Sequence, residues 1–597
     1  MVISEFHKID SKELVDCAMG RKFADLVIRN CQWVCVQTGE IISDTDIAVL
    51  GKRIAFVGED ASHTIGPKTH VIEAQGKFAS PGLIDGHMHV ESGMLTVTEF
   101  VRAVLPRGTT GMFIDPHEIA NVFNLDGVKL MADEAVLQPI HVFVQIPSCV
   151  PSAPQFETVP KELGADDVAE AINLPQIIGL GEVMNYPAVQ NSDTSIHEKM
   201  NITRNAGKVI GGHYPSEDLG IPFNGYAAGG AQDDHEATSV EGAITRARQG
   251  MRVMMRYGSG WHDVEELSKA LTEYDLDSSR FILCTDDSHS HTLVFEGHMD
   301  RVINHAIEQG IDPMTAVQMA SINPAEYFGL GRHIGMIAPG RYADIVLVED
   351  MFDFKADLVI GRGQILAENG ALKCELPQID YPEWALNSIH IPEKITPKDF
   401  YLPIELDDPV KANVIGIIEN QAPTQHLVMN VKSDDGFFTC DLEQDIIKVA
   451  VIERHQNTGR IQLGLVHGFG FSTECAVAST VAHDCHHMII VGTDDEQMAL
   501  AANKLIEMGG GQIVVNNNEV IGAVHLPIAG LMSNCPAKEV AEDAETVLKG
   551  FEACGCKLNN PNMQLSLMAL VVIPDLRISD LGLVDVNKFE FIPLFVN

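Results

Sequence analysis

Residues 81–89 read Pro81-Gly-Leu-Ile-Asp-Gly-His-Met-His89, a short apolar run that ends in two histidines, His87 and His89. Side chains at positions i and i+2 of a strand point to the same face, so the two imidazoles would lie side by side at the strand end. Taken alone, such a pair is as compatible with ordinary polar packing as with metal binding. The runs that follow decide between the two interpretations.

Residues 77–334 alternate short apolar runs with amphipathic stretches, a pattern typical of parallel βα units. We place eight such runs, which begin at Pro81, Gly111, His141, Ile177, Lys208, just before His235 (a weak run), Arg252 and Phe281. Eight units of this overall length predict a (β/α)8 barrel. The active site of such a barrel lies at the C-terminal ends of its strands.

Metal-binding residue types occupy those strand ends. The later runs close on Glu182, His213, His235 and the pair Asp286-Asp287. Four histidines and two carboxylates exceed the four ligands of a structural zinc ion, but they suit a bridged pair of metals. The predicted metal ligands are His87, His89, Glu182, His213, His235 and Asp286.

The segments on either side of the predicted barrel have a different pattern. Residues 1–76 and 335–392 contain short alternating strands separated by turns, which predict one small β-sandwich domain built from both sides of the barrel. Residues 393–597 mix strand-like runs with a helix from Asp495 to Met508 and predict a C-terminal α/β domain. The predicted fold class is therefore α/β, with two domains added to a (β/α)8 barrel.

Length and charge limit the function. A chain of 597 residues with 45% hydrophobic composition can form several cores, since single cores stop growing near about 250–300 residues. A net charge of −42 argues against nucleic acid as a partner, because binding to phosphates depends on clustered cations. Met1 to Glu13 lacks the apolar core of a signal peptide, and no apolar stretch reaches the ~20 residues of a membrane span. We therefore expect a cytoplasmic protein without a membrane partner.

The ligand pattern resembles the amidohydrolase superfamily, whose barrels carry His-x-His on strand one, single histidines on strands five and six and an aspartate on strand eight. His87, His89, His213, His235 and Asp286 match these positions. Many members have a carboxylated lysine on strand four, where this chain has Glu182. An unmodified glutamate can bridge two metals as a carboxylate.

Four further motifs are similar to those of adenine deaminases within that superfamily: residues 81–92, 115–121 and 181–185, and Val481-Ala-His-Asp-Cys-His-His487 in the last domain. The resemblance covers nearly the whole chain. It implies hydrolysis of adenine to hypoxanthine and ammonia, two divalent cations (manganese or iron, with zinc also compatible), and a homodimer or larger homo-oligomer.

The implied mechanism is attack on C6 of adenine by a hydroxide that the two cations make available near neutral pH. Asp286 would carry the proton from this hydroxide to the departing amine, and Glu182 would bridge the cations, with a second role in protonating a ring nitrogen. The residues predicted to bind the purine nitrogens are Asp115, His117, Glu118 and Asp287. Glu118 is equally compatible with an exposed loop carboxylate near a helix N-cap.

Other histidines have weaker assignments. His289 and His291 follow Asp286 and are expected to support the ligands or face solvent. The cluster from His483 to His487 is expected to have a structural or substrate-capping role, because the adjacent His486 and His487 would point apart on a regular element.

Alternative functions remain at this stage. A related hydrolase acting on a cyclic amide, an N-acetyl amino sugar or another 6-substituted purine would need the same ligands, although the Asp115 motif and the last domain favour adenine. A non-enzymatic barrel scaffold would be expected to lose ligands, and all six positions carry competent side chains. Zinc deaminases with His/Cys/Cys ligands are disfavoured, since no Pro-Cys-x-x-Cys accompanies a His-x-Glu.

Overall fold

The computed structural model describes residue 8, residues 10–404 and residues 410–596. Most of the segment from Met1 to Glu13, for which we predict the absence of a signal peptide, lies outside these residues. The same holds for residues 1–7 and 9 of the predicted β domain and for residues 405–409 and 597 of the predicted C-terminal domain. Within the described part of the chain, no helix combines the length and the apolar character that crossing a membrane requires.

The N-terminal segment forms one helix and five strands. Its elements are α1 Ser11–Ala18, β1 Leu26–Cys35, β2 Glu40–Leu50, β3 Arg53–Gly58, β4 His70–Glu73 and β5 Phe78–Pro81. β1 is the centre of this group, since it pairs antiparallel with β2 and parallel with both β4 and β5. Apolar residues on both faces of β1 are buried, as expected for a central strand.

All eight predicted runs of the barrel contain strands. They are β6 Leu83–His89, β7 Thr109–Ile114, β8 His141–Ile146, β9 Ile177–Val183, β10 Val209–Gly212, β11 Asp233–Asp234, β12 Arg252–Arg256, β13 Phe281–Cys284 and β14 Asp286–Asp287. The weak run before His235 has become the two-residue β11. Thr285 alone separates β13 from β14, so these two strands together form the last run.

The pairing of these strands follows chain order and is parallel throughout. One sheet has the order β10-β9-β8-β7-β6-β14, and a second has the order β11-β12-β13. β13 pairs with β12 and β14 pairs with β6, so the last run joins the two sheets. At the second junction between the two sheets, from β10 to β11, the Gln232 amide donates to the Ile210 carbonyl at 2.9 Å and the Gly212 amide donates to Asp233 Oδ1 at 2.7 Å. The result is a TIM-barrel-like arrangement.

Helices alternate with these strands. They are α2 Val97–Val104, α3 His117–Leu137, α4 Ala165–Ala171, α5 Tyr186–Gln190, α6 Thr194–Asn205, α7 Ile221–Gly229, α8 Val240–Arg248, α9 Val264–Leu267, α10 Lys269–Thr272, α11 Met299–Glu308, α12 Pro313–Met319 and α13 Ile322–Tyr327. A hydrophobic cluster takes one side chain from each of seven strands, namely Ile84, Phe113, Phe143, Ile178, Val209, Met254 and Ile282. This cluster fills part of the barrel interior, which leaves the polar residues at the C-terminal ends of the strands to line its mouth.

After the barrel the chain returns to the first sheet. The four returning strands are β15 Ile345–Val348, β16 Ala356–Gly361, β17 Gln364–Glu368 and β18 Ala371–Leu372. β15 pairs antiparallel with β5, so a sheet with the order β18-β17-β16-β15-β5-β1-β2-β3, with β4 on β1, combines strands from both sides of the barrel. The predicted division into domains and the description of this unit as a sandwich stay predictions.

A separate C-terminal domain follows. Its strands are β19 Val410–Gly416, β20 Gln425–Asp434, β21 Phe437–Thr439, β22 Ile446–Ile452, β23 Ile461–His467, β24 Cys475–Ser479, β25 Met488–Gly492, β26 Gly511–Asn516, β27 Glu519–His525, β28 Leu576–Ile578, β29 Leu583–Asp585, β30 Glu590–Phe591 and β31 Phe595–Val596, and its helices are α14 Asp495–Met508, α15 Ala537–Ala553 and α16 Pro561–Leu567. The predicted helix from Asp495 to Met508 is confirmed as α14. It begins after Asp494, whose carboxylate caps two backbone amides, and ends at Gly509 in the left-handed region.

Candidate metal centre and active site

His87 and His89 lie at the C-terminal end of β6, and both are almost fully buried. The His89 ring donates from Nδ1 to the Asp115 carbonyl at 2.9 Å, which leaves the Nε2 lone pair free. This Nε2 lies 3.1 Å from Asp286 Oδ1 and 3.3 Å from Glu182 Oε1. His87 Nε2 lies 3.9 and 4.0 Å from the same two oxygens. Both imidazoles therefore present Nε2 to the same pair of carboxylates.

Glu182 projects from β9 between two pairs of histidines. Its Oε1 faces His87 and His89 at the distances above. Its Oε2 lies 2.6 Å from His213 Nδ1 and 3.2 Å from His235 Nε2. Each oxygen of one carboxylate thus serves a different histidine pair, which is the arrangement that a bridging ligand of two cations requires.

The second pair of histidines follows β10 and β11. His213 Nδ1 and His235 Nε2 are 3.1 Å apart, a spacing that suits two ligand atoms of one cation. Glu236 Oε1 lies 3.4 Å from His235 Nε2 and 3.8 Å from His213 Nδ1. The arrangement adds Glu236 to the candidate ligands.

Asp286 closes the site from β14 and adopts a φ of 58°, in the left-handed region that non-glycine residues rarely enter. Its Oδ1 faces His89, and its Oδ2 accepts a hydrogen bond from Arg256 Nη1 at 3.1 Å. The buried Arg256 guanidinium also pairs with Glu236 and, through Nε at 2.7 Å, with Asp263. Arg256 therefore fixes the orientation of the Asp286 carboxylate.

Glu182 and His87 have the protonation states expected of metal ligands, whereas the neighbouring carboxylates outweigh burial and raise the pKa of His89, His213 and His235. Burial raises the pKa of Glu182, but the neighbouring His213 and His235 outweigh it and hold the pKa well below its usual range. Burial, together with His235 and His89, lowers the pKa of His87 well below its usual value. An ionised carboxylate and a neutral imidazole are the forms that bind divalent cations.

Candidate ligand atoms of this site are available to bind cations. His87 Nε2, an atom of a predicted ligand, is buried without a hydrogen-bond partner in the described chain. All six predicted ligands fall into overlapping groups whose ligand atoms lie within 4.8 Å of one another. Those groups are His87 with Glu182 and His235, His87 with His89 and Asp286, and His213 with His235 and Glu236. The residues present fit a centre of two cations.

Asp115 and His117, both predicted to bind substrate, lie in direct contact with these ligands. Asp115 Oδ2 accepts a hydrogen bond from the Glu182 amide at 2.9 Å, and its carbonyl holds the His89 ring. Burial raises the pKa of Asp115 to about 6. His117 Nδ1 lies 3.4 Å from Glu182 Oε1, and His117 joins His89 and Glu182 in a further candidate ligand group.

Glu118 is buried against the C-terminal domain. Its Oε1 lies 2.9 Å from His483 Nδ1, and its Oε2 makes a close contact with His486 Nε2. The His486 ring accepts a hydrogen bond from the Ala482 amide at Nδ1, so Nε2 carries the proton that Glu118 accepts. Burial raises the pKa of Glu118, but these histidines and His117 outweigh it and hold the pKa well below its usual range.

The remaining predicted residues lie around the same mouth. Asp287 accepts hydrogen bonds from Ser92 Oγ and, at 3.0 Å, from Trp261 Nε1. His289 is half-buried, with Nδ1 3.3 Å from the Ser92 carbonyl, whereas His291 is exposed. Neither histidine joins a candidate ligand group within the part of the chain that the structure describes.

Sequence reasoning missed Arg256, Glu236 and the docking of His483 and His486 on Glu118. Arg256 closes β12 and Glu236 directly follows His235, so both lie at strand ends. Glu236 is of a metal-ligand type and could have been predicted by the rule that found the ligands, whereas Arg256 is not of such a type. The contact between Glu118 and His486 spans 368 positions of the chain and leaves no local pattern.

Known proteins match nearly the full length of the chain. The amidohydrolase family profile matches residues 78–366, and the profile of the adenine deaminase C-terminal domain matches residues 421–590. Adenine deaminase 3 of Rhizobium meliloti (strain 1021) is 54% identical over 577 residues, which cover 97% of each chain. The adenine deaminase of Ruegeria sp. (strain TM1040) is 54% identical over 98% of this chain and 97% of that protein.

A more distant relative gives the same result. The adenine deaminase of Clostridium botulinum (strain 657 / Type Ba4) is 45% identical over 588 residues, which cover 98% of each chain. Identity of this extent includes both the barrel and the C-terminal domain. This chain therefore belongs to the adenine deaminase family of the amidohydrolases.

Proposed function

We propose that this chain hydrolyses adenine to hypoxanthine and ammonia at a centre of two divalent cations. Family membership over nearly the whole chain supports the reaction. The observation that carries the metal assignment is Glu182, whose two oxygens face separate histidine pairs. In the overall reaction water supplies the oxygen that becomes bonded to C6, and the amino group leaves C6 as ammonia.

Two sets of ligands would hold the cations. His87, His89 and Asp286 would form the first set and His213 and His235 the second, with Glu182 shared between them. Imidazole and carboxylate ligands suit manganese and iron as well as zinc, and we favour Mn²⁺ or Fe²⁺. When bound, the cations would lower the pKa of water, so that hydroxide is available near neutral pH.

Asp286 is the group that we assign to proton transfer. Burial raises its pKa, but the contact with His89 and the charges of His235 and Arg256 outweigh this and lower it, so the carboxylate is ionised. Arg256 holds Oδ2, which leaves Oδ1 on the side of the two histidines. From that position Asp286 would take a proton from water and deliver it to the leaving amine.

Four residues are our candidates for binding the purine nitrogens: Asp115, His117, Glu118 and Asp287. Asp115 Oδ1 and His117 Nδ1 are buried and lack a hydrogen-bond partner in the described residues, which supports their inclusion. Glu118 and Asp287 already have partners on both carboxylate oxygens, so they would bind substrate as part of these networks.

The direct test is ammonia release by the purified, metal-replete chain. Adenine is compared with adenosine, guanine, cytosine and a cyclic amide, and the ultraviolet change of hypoxanthine formation is followed in parallel. We expect turnover of adenine, and we expect Glu182→Gln to lose both turnover and bound metal, because an amide offers one acceptor oxygen instead of two. Bound metal with consumption of another substrate and none of adenine would contradict the reaction.

The oligomeric state of the chain is a separate proposal. We expect a homodimer or larger homo-oligomer, which the mass of the purified chain in solution would test.

A further inference from the structure

A cavity of about 240 Å³ lies between the barrel mouth and the C-terminal domain. Its barrel wall includes Ser92, Glu118 and His289, which come shortly after the C-terminal ends of β6, β7 and β14. Its opposite wall includes Gln512 and Asn562 of the C-terminal domain. Glu118 contacts His117, and His117 contacts Glu182, so two side-chain contacts connect the cavity wall to the candidate metal centre.

The lining of this cavity suits a flat, polar ring. Met94 of the barrel and Val481, Leu531 and Met563 of the C-terminal domain provide apolar contacts. Ligand sites of this kind combine apolar walls with a few well-placed polar groups. A cavity of this volume is also below the roughly 300–1,000 Å³ of sites for drug-sized ligands, which indicates a small molecule.

Polar atoms without a partner converge on the same cavity. Five lining residues carry a buried side-chain atom that forms no hydrogen bond to the described residues, namely Glu91 Oε2, His289 Nε2, Ser290 Oγ, Gln512 Oε1 and Asn562 Oδ1. Buried polar groups in folded proteins nearly always have a partner. Several such atoms around one cavity therefore indicate a ligand that supplies the missing hydrogen bonds.

Of the two unpartnered amides on the wall opposite the barrel, Asn562 lies on α16, whereas Gln512 lies on a strand that is paired on both sides. It lies on β26, where its backbone pairs with Ser479 of β24 and Val524 of β27, and its side chain is buried. A carboxamide offers one acceptor oxygen and two N–H donors, so it can form two hydrogen bonds with a base edge that presents one donor and one acceptor.

The orientation of the substrate selects that edge. Catalysis requires C6 and the amino group of adenine to face the metal centre. The N3–N9 edge is at the other end of the purine and would face the C-terminal domain. This edge presents an N9–H donor and an N3 acceptor in the free base, whereas a nucleoside has no N9–H.

We propose that Gln512 determines specificity for the free base, with Oε1 accepting from N9–H and Nε2 donating to N3 of adenine. This inference rests on the proposed function. It assigns to the C-terminal domain one wall of the purine site, and it explains in chemical terms how a nucleobase would be distinguished from its 9-substituted derivatives.

The test compares adenine with 9-methyladenine, which lacks N9–H, in the full-length metal-replete enzyme. We expect the wild type to prefer adenine by at least tenfold in kcat/KM. Gln512→Leu should lower kcat/KM for adenine by about 10- to 100-fold, mainly through KM, and should remove the preference for adenine, because adenine loses two hydrogen bonds and 9-methyladenine at most the one to N3. Bound metal should stay unchanged.

Gln497→Leu is the matched control. Gln497 is buried in the same domain and donates to Asn518 instead of lining the cavity, so its substitution should preserve the preference. An unchanged preference in Gln512→Leu would overturn the inference while leaving adenine deamination intact. Absence of adenine turnover in the wild type would instead contradict the proposed function.

A second variant covers the case in which Gln512→Leu does not fold. Gln512→Glu retains an acceptor but loses the N–H donors, so it should no longer distinguish adenine from 3-deazaadenine, in which a C–H group replaces N3. If the wild type prefers adenine to 3-deazaadenine and Gln512→Glu retains this preference in full, the assignment of Nε2 to N3 is overturned.

Discussion

Asp286→Asn removes one carboxylate charge from the candidate centre with almost no change in volume. In the structure Oδ1 lies 3.1 Å from His89 Nε2, and Oδ2 lies 3.1 Å from Arg256 Nη1. An amide keeps one of these oxygens and replaces the other by an N–H₂ donor. If the donor faces Arg256, two donors oppose each other, and if it faces His89, the oxygen ligand is lost. In both orientations the group can no longer accept a proton.

The expected size of the effect follows from this lost proton transfer. Positioned acid–base groups contribute about 10²–10⁴-fold to the rate, which corresponds to about 2.7–5.4 kcal/mol of activation free energy. We therefore expect kcat for adenine to fall by that factor in ammonia-release assays, with bound metal measured in the same samples.

Asp263→Asn is the control for this experiment. Asp263 also accepts a hydrogen bond from Arg256, at 2.7 Å, but it belongs to none of the candidate ligand groups of the described residues. Its substitution should change kcat less than tenfold. If Asp286→Asn retained more than a tenth of the wild-type kcat, or matched Asp263→Asn, the assignment of proton transfer to Asp286 would be refuted.

Three further outcomes are expected. Removal of metal with a chelator should abolish ammonia release and lower the Tm, because a ligand that binds the native state stabilises it by about 2.7 kcal/mol at 100 times Kd. Addition of Mn²⁺ or Fe²⁺ should reverse both effects. Full activity in metal-free protein would contradict the metal assignment. Arg256→Met should lower the free energy of unfolding by about 3–5 kcal/mol in urea titrations, since it leaves Glu236, Asp263 and Asp286 without their buried cation. As a control, Arg102→Met at the exposed pair with Glu99 should lower it by at most about 1 kcal/mol. Burial raises the pKa of Glu157 from 4.5 to about 7, so the folded state binds the proton more tightly, and about 3 kcal/mol of stability is lost as pH rises from 4.5 to 7. Glu157→Gln should therefore raise the Tm relative to wild type at pH 8 more than at pH 5. An equal Tm difference at both pH values would contradict this sign.

The positions of the candidate ligands could be predicted from sequence because each follows a short apolar run. A strand has a defined direction, and parallel strands bring their C-terminal ends to the same side, so His87 and Asp286 meet although 199 positions separate them. Glu182 could be placed by the same rule. The family resemblance implied a bridging role for Glu182, but which of its oxygens faces which histidine pair could not be predicted, since that depends on how the carboxylate is rotated.

Two kinds of feature could not be predicted. Arg256 lies at a strand end but is not a metal-ligand type, so a search for ligands passes over it even though it orients Asp286. The docking of the C-terminal domain depends on contacts between distant parts of the chain, such as Thr158 with Asp580 and Glu118 with His486. Hydrophobic periodicity predicts each domain separately and contains no information about the surface between them.

The contacts of Glu118 connect the C-terminal domain to the candidate active site. A buried carboxylate is tolerated when cations or hydrogen-bond donors compensate its charge, and His483 and His486 are such partners. Without that domain, Glu118 would face water, and its contact with His117 would weaken. His117 is 3.4 Å from Glu182, so the change would reach the candidate metal centre. On the proposed assignment of Gln512, the same domain would contribute to the purine site and stabilise the arrangement of the candidate ligands, so that substrate recognition and metal binding would depend on the same interface.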